Sequence, residues 1–213
     1  DRKTRHAADM YINVLEQLGV TDISNSGLHI ETCEAWRREA QEFYASHGLT
    51  NSDTLIGFNI GSAVPEKRWP AERFAHVADH FGRLGYKTVF FGGPMDLEMV
   101  QPVVEQMEMK PIVATGKFQL GPLAAAMSRC NLLITNDSGP MHVAISQKVP
   151  IVALYGPSNP FFYGPYQIHA IVLETMDSYE VGKSMKKIIK EGNYKGLSVI
   201  SEEQVIKAAE TLL

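Results

Sequence analysis

Residues able to hold an anionic ligand are concentrated in one stretch, residues 132–142, which reads LLITNDSGPMH. Its apolar start is typical of a buried parallel strand, and the turn and N-cap residues that follow predict a helix beginning near Pro140. The first backbone amides of such a helix are free to bind phosphate. The candidate ligands are Asp137, for sugar hydroxyls, and Ser138 with the amides of Gly139, Met141 and His142, for phosphate. Structural roles stay open beside these: Asp137 or Ser138 as a helix N-cap, and His142 as a buried, hydrogen-bonded side chain.

A second group of candidate residues lies in the loop 60–69. Gly61 and Ser62 are small enough to let a ligand approach the backbone closely. Lys67 offers a point charge and Arg68 a planar fork for a diphosphate, with Arg68 the weaker candidate. The alternative is a pair of solvated surface charges. The neighbouring Gly-Ser and Trp-Pro turns favour the functional interpretation.

Two further candidates follow later strands. Asp96 can accept hydrogen bonds from ribose hydroxyls, or it can simply complement the dipole at the start of a helix. Phe118 can pack against a nucleotide base or belong to the core. The G-x-G-x-x-G spacing is absent after every predicted strand, which disfavours an NAD-type enzyme, and the sequence shows no Ser/His/Asp triad, metal cluster or Walker loop.

These candidates are positioned by alternating strands and helices. Strands are predicted at 55–59, 87–91, 111–114, 132–134, from 150 and at 169–173, with amphipathic helices between them and a capping box at Ser201 to Gln204 opening a final helix. Short connections between such elements predict an α/β fold with a doubly wound parallel sheet. Ligands of these folds bind outside the carboxyl ends of the strands, where the loops 60–69, 92–96, 115–119 and 136–139 converge.

The remaining features of the sequence concern domain organisation and the classes of protein that its composition disfavours. Residues 1–50 carry two helical patterns and are interpreted as a helical interdomain or linker segment before a domain at 51–213. A net charge of −4 gives no reason to expect nucleic-acid binding. Two distant cysteines favour a reduced, cytosolic setting, and no apolar run reaches the ~20 residues of a membrane span.

Four segments together resemble glycosyltransferase family nine, the bacterial heptosyltransferases of the lipopolysaccharide inner core. They are FNIGSAVPEKRWP at 58–70, FFGGPMDLE at 90–98, NDSGPMH at 136–142 and LYGPSNP at 154–160. Their order and spacing match from about residue 50 to the end. The resemblance implies a GT-B enzyme with two Rossmann-like domains, whose C-terminal domain binds the nucleotide-sugar donor, usually ADP-heptose.

Carried over by position, the resemblance gives each candidate a role. It places Ser62 and Lys67 at the diphosphate, with Lys67 stabilising the leaving group, and Asp96, often Glu in the family, at the ribose. Phe118 falls beside the adenine. The phosphates and donor sugar fall to Asp137, Ser138, Gly139, Met141 and His142.

The same resemblance implies an inverting transfer that this chain does not perform alone. The family's general base, an Asp, belongs to an N-terminal domain, so the chain is expected to bind donor without transferring it. No metal or other cofactor is obligatory. The implied partners are the donor, a lipid-linked saccharide acceptor and an N-terminal GT-B domain, at the cytoplasmic face of the bacterial inner membrane. Lys183, Lys186, Lys187 and Lys190 form either a peripheral membrane contact or, more simply, a solvated helix face.

Two alternatives stay open at the level of the sequence. One is another GT-B transferase, or an epimerase, that uses a UDP-sugar. The other is a non-catalytic nucleotide-sugar-binding domain that kept the fold.

Overall fold

The computed structural model describes residues 6–23, 25–176, 185–191 and 194–213. Its helices are α1 Ala7–Gln17, α2 Glu34–Ser46, α3 Ala71–Arg83, α4 Leu97–Gln106, α5 Leu120–Met127, α6 Gly139–Ser146, α7 Pro160–Tyr163, α8 Met185–Lys190 and α9 Glu202–Leu212. Its strands are β1 Leu55–Asn59, β2 Lys87–Phe91, β3 Ile112–Val113, β4 Leu132–Asn136, β5 Ile151–Tyr155 and β6 Ala170–Glu174. Short 3-10 helices lie at Pro65–Lys67, Pro94–Asp96 and Leu197–Val199.

The six strands form one sheet in the order β3-β2-β1-β4-β5-β6, and all the pairings are parallel. The predicted α/β, doubly wound Rossmann-like sheet is therefore confirmed. The chain starts in the middle of the sheet at β1, builds outward to β3, and returns to the centre to lay β4 on the other side of β1. This reversal is the topological switch point at which such folds bind ligands.

Alternate residues of the strands point to opposite faces of the sheet, and each face carries its own core. Ile56, Phe58, Phe90 and Ile134 pack under α3, α4 and α9. Leu55, Val89, Phe91 and Leu133 pack under α2, α5 and α6 on the other side. Since both faces are covered, the central strands are apolar throughout, which is why they appear in the sequence as continuous apolar runs.

Helix α2 packs closely on this framework. The buried Tyr44 hydroxyl donates to the carbonyl of Ala126 in α5 at 2.9 Å. A side chain at Gly121 would lie 2.6 Å from the ring of Trp36, so the glycine is what lets α2 and α5 approach. Helix α2 shares the core on this face of the sheet. The division of the chain at residue 50 stays a prediction.

Helix α1 is attached more loosely. Its single buried residue is Ala7, and it is tied to the loop after α7 by the His6 ring against Tyr166, with centroids 4.4 Å apart. Tyr11, Val14, Leu15 and Leu18 form an exposed apolar stripe along its outer side.

Other local predictions can be compared directly. The capping box at Ser201 and Gln204 is confirmed, with both reciprocal hydrogen bonds present. Helix α3 begins at Ala71, and Pro70 occupies its N-cap position. The short basic helix exists as α8, whereas Lys183 lies outside the described residues. None of the helices in the described ranges is both long and apolar enough to cross a lipid bilayer.

Candidate functional site

Three loops meet at the carboxyl edge of the central strands. They follow β1, β4 and β5, and they carry Lys67, Asp137 and Ser158 respectively. Because β1 and β4 are neighbours in the sheet, the first two loops diverge to opposite faces and leave a crevice between them.

An ion pair spans this crevice. The Lys67 Nζ atom donates to Asp137 Oδ2 at 2.6 Å, and the side chains are 18% and 6% exposed. The hydroxyl of Ser158 donates to the same carboxylate oxygen. A charge-assisted contact of this kind holds all three loops together at one point. Lys67 and Asp137, predicted to contact a ligand, are thus brought side by side.

Ser62 and Arg68 are joined to each other. The Arg68 Nε atom donates to the carbonyl of Ser62 at 2.8 Å, so the guanidinium braces its own loop. The buried Ser62 hydroxyl lies 3.4 Å from the carbonyl oxygen of Asp137 and 3.4 Å from the amide of Val64. Ser62 therefore lines the crevice beside Asp137, and its contact with a diphosphate stays a prediction.

Asn136, at the end of β4, fixes both ends of the loop that carries Lys67. Its side chain accepts from the Trp69 amide at 3.0 Å and donates to the Ile60 carbonyl at 2.8 Å. Trp69 is itself buried, with its indole N–H donating to the Ile200 carbonyl at 3.0 Å. The loop 61–68 is thus held at each end by one asparagine.

The start of α6 is arranged by a second asparagine, Asn59. Its amide nitrogen donates to Ser138 Oγ at 2.8 Å and to Thr135 Oγ1 at 3.2 Å. Ser138 is the N-cap residue but makes no side-chain capping bond; its hydroxyl donates to the Asn136 carbonyl at 3.2 Å. Ser138 therefore sits at the helix start as predicted, while its hydroxyl is held by the end of β4.

The first residues of α6 differ in accessibility. Gly139 is exposed, and a side chain there would meet open space, so the backbone can approach a ligand at this point. Met141 is fully buried, and its sulfur lies 3.7 Å from the Tyr155 hydroxyl. The Met141 side chain therefore packs in the core, and the contact of its backbone amide with a phosphate stays a prediction.

His142 is half-buried one turn into α6. Burial lowers the pKa of its imidazole below the usual value; Asp137 opposes this shift, and the charges of His6 and Lys67 reinforce it. A neutral imidazole near an anionic ligand can donate or accept a hydrogen bond but supplies no charge.

Asp96 and Phe118 lie on the neighbouring loops. The Asp96 Oδ2 atom accepts from the Gly93 amide at 2.8 Å, and a side chain at Gly61 would overlap the Asp96 carboxylate. Asp96 is therefore close to the crevice, although one oxygen serves its own turn. The Phe118 ring packs edge-on against Phe43 of α2, with centroids 4.9 Å apart, which favours the packing role. The ribose and adenine contacts stay predictions.

The sequence reasoning missed three residues of this site: Ser158, Asn59 and Asn136. Ser158 follows β5, and the rule that ligands bind beyond the carboxyl ends of strands would have identified its loop. Asn59 and Asn136 are the last residues of β1 and β4. A polar residue at the end of an apolar strand is the sequence signal that could have identified them.

A fourth missed residue, Tyr194, contacts the loop 61–68 that carries Lys67. Its hydroxyl donates to the Glu66 carbonyl at 2.5 Å, and its ring lies against Gly156, where any side chain would overlap it. Burial raises the pKa of Tyr194 to about 12, so the hydroxyl stays a donor at neutral pH. Within the described residues, no three His, Cys, Asp or Glu side chains are grouped as a metal ion would require.

Comparison with known proteins agrees with this architecture. The sequence model of glycosyltransferase family 9 (heptosyltransferase) matches residues 1–194. The chain is 92% identical to a glycosyl transferase family 9 protein from Veillonella parvula, whose crystal structure superposes with a TM-score of 0.95 over 100% of this chain and 61% of that one. It is also similar to ADP-heptose lipopolysaccharide heptosyltransferase II of Escherichia coli, with 26% identity and a TM-score of 0.72 over 89% of this chain and 55% of that chain.

Curated relatives show the same partial coverage. Lipopolysaccharide heptosyltransferase 2 of Salmonella typhimurium is 32% identical over 170 residues, which are 78% of this chain and 48% of the relative. The chain therefore spans about half the length of this relative.

Proposed function

The chain belongs to glycosyltransferase family 9, and on that footing we propose that it binds a nucleotide-sugar donor, ADP-heptose, for inverting transfer to a lipopolysaccharide core acceptor. The observation that carries this proposal is the Lys67–Asp137 pair at the switch point, beside the exposed start of α6. A cation, a helix N-terminus and a carboxylate in one crevice suit a ligand with both phosphates and sugar hydroxyls.

In the proposed reaction an acceptor hydroxyl attacks the anomeric carbon of the donor, and the nucleoside diphosphate leaves. Lys67 and the backbone amide of Gly139 stabilise the charge that develops on the departing diphosphate. Asp137 contacts the sugar hydroxyls. We propose that no metal ion is required, because Lys67 and the helix start supply the positive potential.

We place the general base outside these 213 residues, in an N-terminal GT-B domain. Asp137 Oδ2 already accepts hydrogen bonds from Lys67 and Ser158, so that oxygen is engaged on the donor side of the crevice. The isolated chain is therefore expected to bind donor without transferring heptose. Heptose transfer to a lipid-linked core acceptor by this chain alone would contradict that expectation.

Calorimetry with ADP and UDP tests the donor. We expect ADP to bind more tightly than UDP, and Lys67→Ala to weaken ADP binding by about tenfold or more, since a charged contact is lost. Lys87→Ala is the matched control: Lys87 is an exposed lysine at the opposite, amino edge of β2. Tight UDP binding without ADP binding would favour the UDP-sugar alternative. Unchanged binding of nucleotide-sugar by both Lys67→Ala and Asp137→Ala would favour a domain that kept the fold without this site.

We also propose that the protein works at the cytoplasmic face of the inner membrane, where a lipid-linked acceptor would be presented. Helix α8 carries Lys186, Lys187 and Lys190, but Lys187 lies 3.9 Å from Glu191, which supports the simpler role of a solvated face. Sedimentation with vesicles of anionic and of neutral lipid separates the two roles. Salt-sensitive binding to the anionic vesicles alone, lost on neutralising the three lysines, would establish a membrane contact through α8.

A further inference from the structure

Ser158 has a hydrogen bond that its local backbone does not require. It follows Gly156 and Pro157 at the end of β5 and precedes α7, whose start is capped by Asn159: the Asn159 side chain accepts from the Phe161 amide at 2.9 Å. The hydroxyl of Ser158 instead reaches across to Asp137 Oδ2, 21 residues away in sequence. Ser158 is only 8% exposed, so water does not readily replace this donor.

The hydroxyl shares its acceptor with Lys67. Asp137 Oδ2 receives both the Ser158 O–H and the Lys67 ammonium, the latter at 2.6 Å. If the hydroxyl were absent, the buried carboxylate would depend on Lys67 as its remaining donor at that oxygen. Asp137 and a bound diphosphate would then compete for one ammonium group, because both are anions that it can bind.

We propose that Ser158 is a positioning residue for donor binding. Its hydroxyl holds the Asp137 carboxylate from the β5 side, so that Lys67 can exchange this carboxylate for the diphosphate of the donor. This inference rests on the proposed function and extends it to a residue that never needs to touch the ligand. No covalent bond changes and no proton is transferred in this step; the Lys67 ammonium only changes its hydrogen-bond acceptor.

The test is a double-mutant cycle on ADP affinity, measured by calorimetry with the 213-residue chain. Ser158→Ala should raise the Kd for ADP about tenfold. In an Asp137→Ala background the competing carboxylate is gone, so adding Ser158→Ala should change the Kd less than about twofold. Ser158→Thr keeps the hydroxyl and should stay within about threefold of wild type.

The matched control is Ser146→Ala. Ser146 is also buried, but its hydroxyl donates to the Val143 carbonyl within α6 at 2.6 Å, away from Asp137. It should leave the Kd for ADP within about twofold. Thermal melting of every variant shows that the proteins compared are folded.

Each outcome bears on a separate claim. An unchanged Kd in Ser158→Ala, or an equal loss in the Asp137→Ala background, would overturn the role of Ser158 while leaving the proposed function intact. A lower melting temperature with unchanged ADP binding would show a purely structural serine and would also overturn it. Failure of the wild-type chain to bind ADP would instead overturn the proposed function, and this inference with it.

Discussion

Replacing Asn136 by alanine removes the link that fixes the Lys67 loop at both ends. The side chain accepts from the Trp69 amide at 3.0 Å and donates to the Ile60 carbonyl at 2.8 Å. Both partners are buried, Trp69 at 1% exposure and Ile60 at 0%, so water cannot readily take the place of the lost amide. The substitution therefore leaves one donor and one acceptor unsatisfied.

The magnitude follows from these two groups. An unsatisfied buried hydrogen-bonding group costs about 1–3 kcal/mol, so Asn136→Ala should lower the free energy of unfolding by about 2–6 kcal/mol. That is a large share of the roughly 5–15 kcal/mol that stabilises a typical domain. Binding should suffer as well, because the loop 61–68 carries Ser62 and Lys67. We expect the Kd for ADP to rise about tenfold or more in the protein that remains folded.

Urea denaturation followed by calorimetry with ADP measures both effects, with Asn131→Ala as the control. The Asn131 side chain also bonds a neighbouring strand, accepting from the Leu55 amide at 2.9 Å, but at the opposite edge of the sheet. Asn131→Ala should cost about 1–3 kcal/mol of stability and leave ADP affinity within about twofold. A stability loss below about 1 kcal/mol in Asn136→Ala, or equal effects of the two variants on ADP affinity, would refute the reasoning.

Three further predictions concern other parts of the molecule. Burial lowers the pKa of His142, so the unfolded chain binds more protons than the folded one around the ordinary histidine pKa. The free energy of unfolding should therefore fall as the pH is lowered from about 7 to about 5, and it should fall less in His142→Gln. Urea denaturation at each pH measures both. An equal fall in both proteins would contradict this. Gly121→Ala places a methyl group 2.6 Å from the Trp36 ring and should lower the free energy of unfolding by about 1–3 kcal/mol. Adding Trp36→Leu should restore part of this loss, and thermal melting of the single and double variants measures both. Ser201→Ala removes the cap of α9 and should cost about 1 kcal/mol, whereas the exposed Ser198→Ala should stay within about 0.5 kcal/mol; equal losses would exclude the cap as the cause.

Much of the sheet could be predicted because its signals are local. The run from Leu132 is apolar throughout since both faces of β4 are covered, and each predicted strand was found within a few residues of its expected bounds. Because both follow neighbouring parallel strands, the carboxyl-edge rule also predicts that Lys67 and Asp137 lie in the same region. The structure shows the two side chains in direct contact, which the sequence did not predict, and their contact with a ligand stays a prediction.

The remaining contacts could not be predicted because they join residues far apart in the chain. The Asn136 side chain reaches Trp69 across 67 residues, and Asn59 reaches Ser138 across 79. No spacing rule connects such positions; only the order of strands in the sheet does. The contact between Phe43 of α2 and Phe118 is of the same kind, because nothing in the local sequence indicates that these two rings meet.

The strand order also has a consequence for how the protein folds. Strands β1, β2 and β3 follow one another along the chain and can associate early. Strand β1 must also pair with β4, where Asn59 lies opposite Thr135, a residue 76 positions away in the sequence. Pairings at such separation slow folding, because a long loop must close before the contact forms. The crevice between β1 and β4 is therefore expected among the late structures to appear during refolding. In a stopped-flow experiment, the recovery of ADP binding should lag behind the recovery of helical signal.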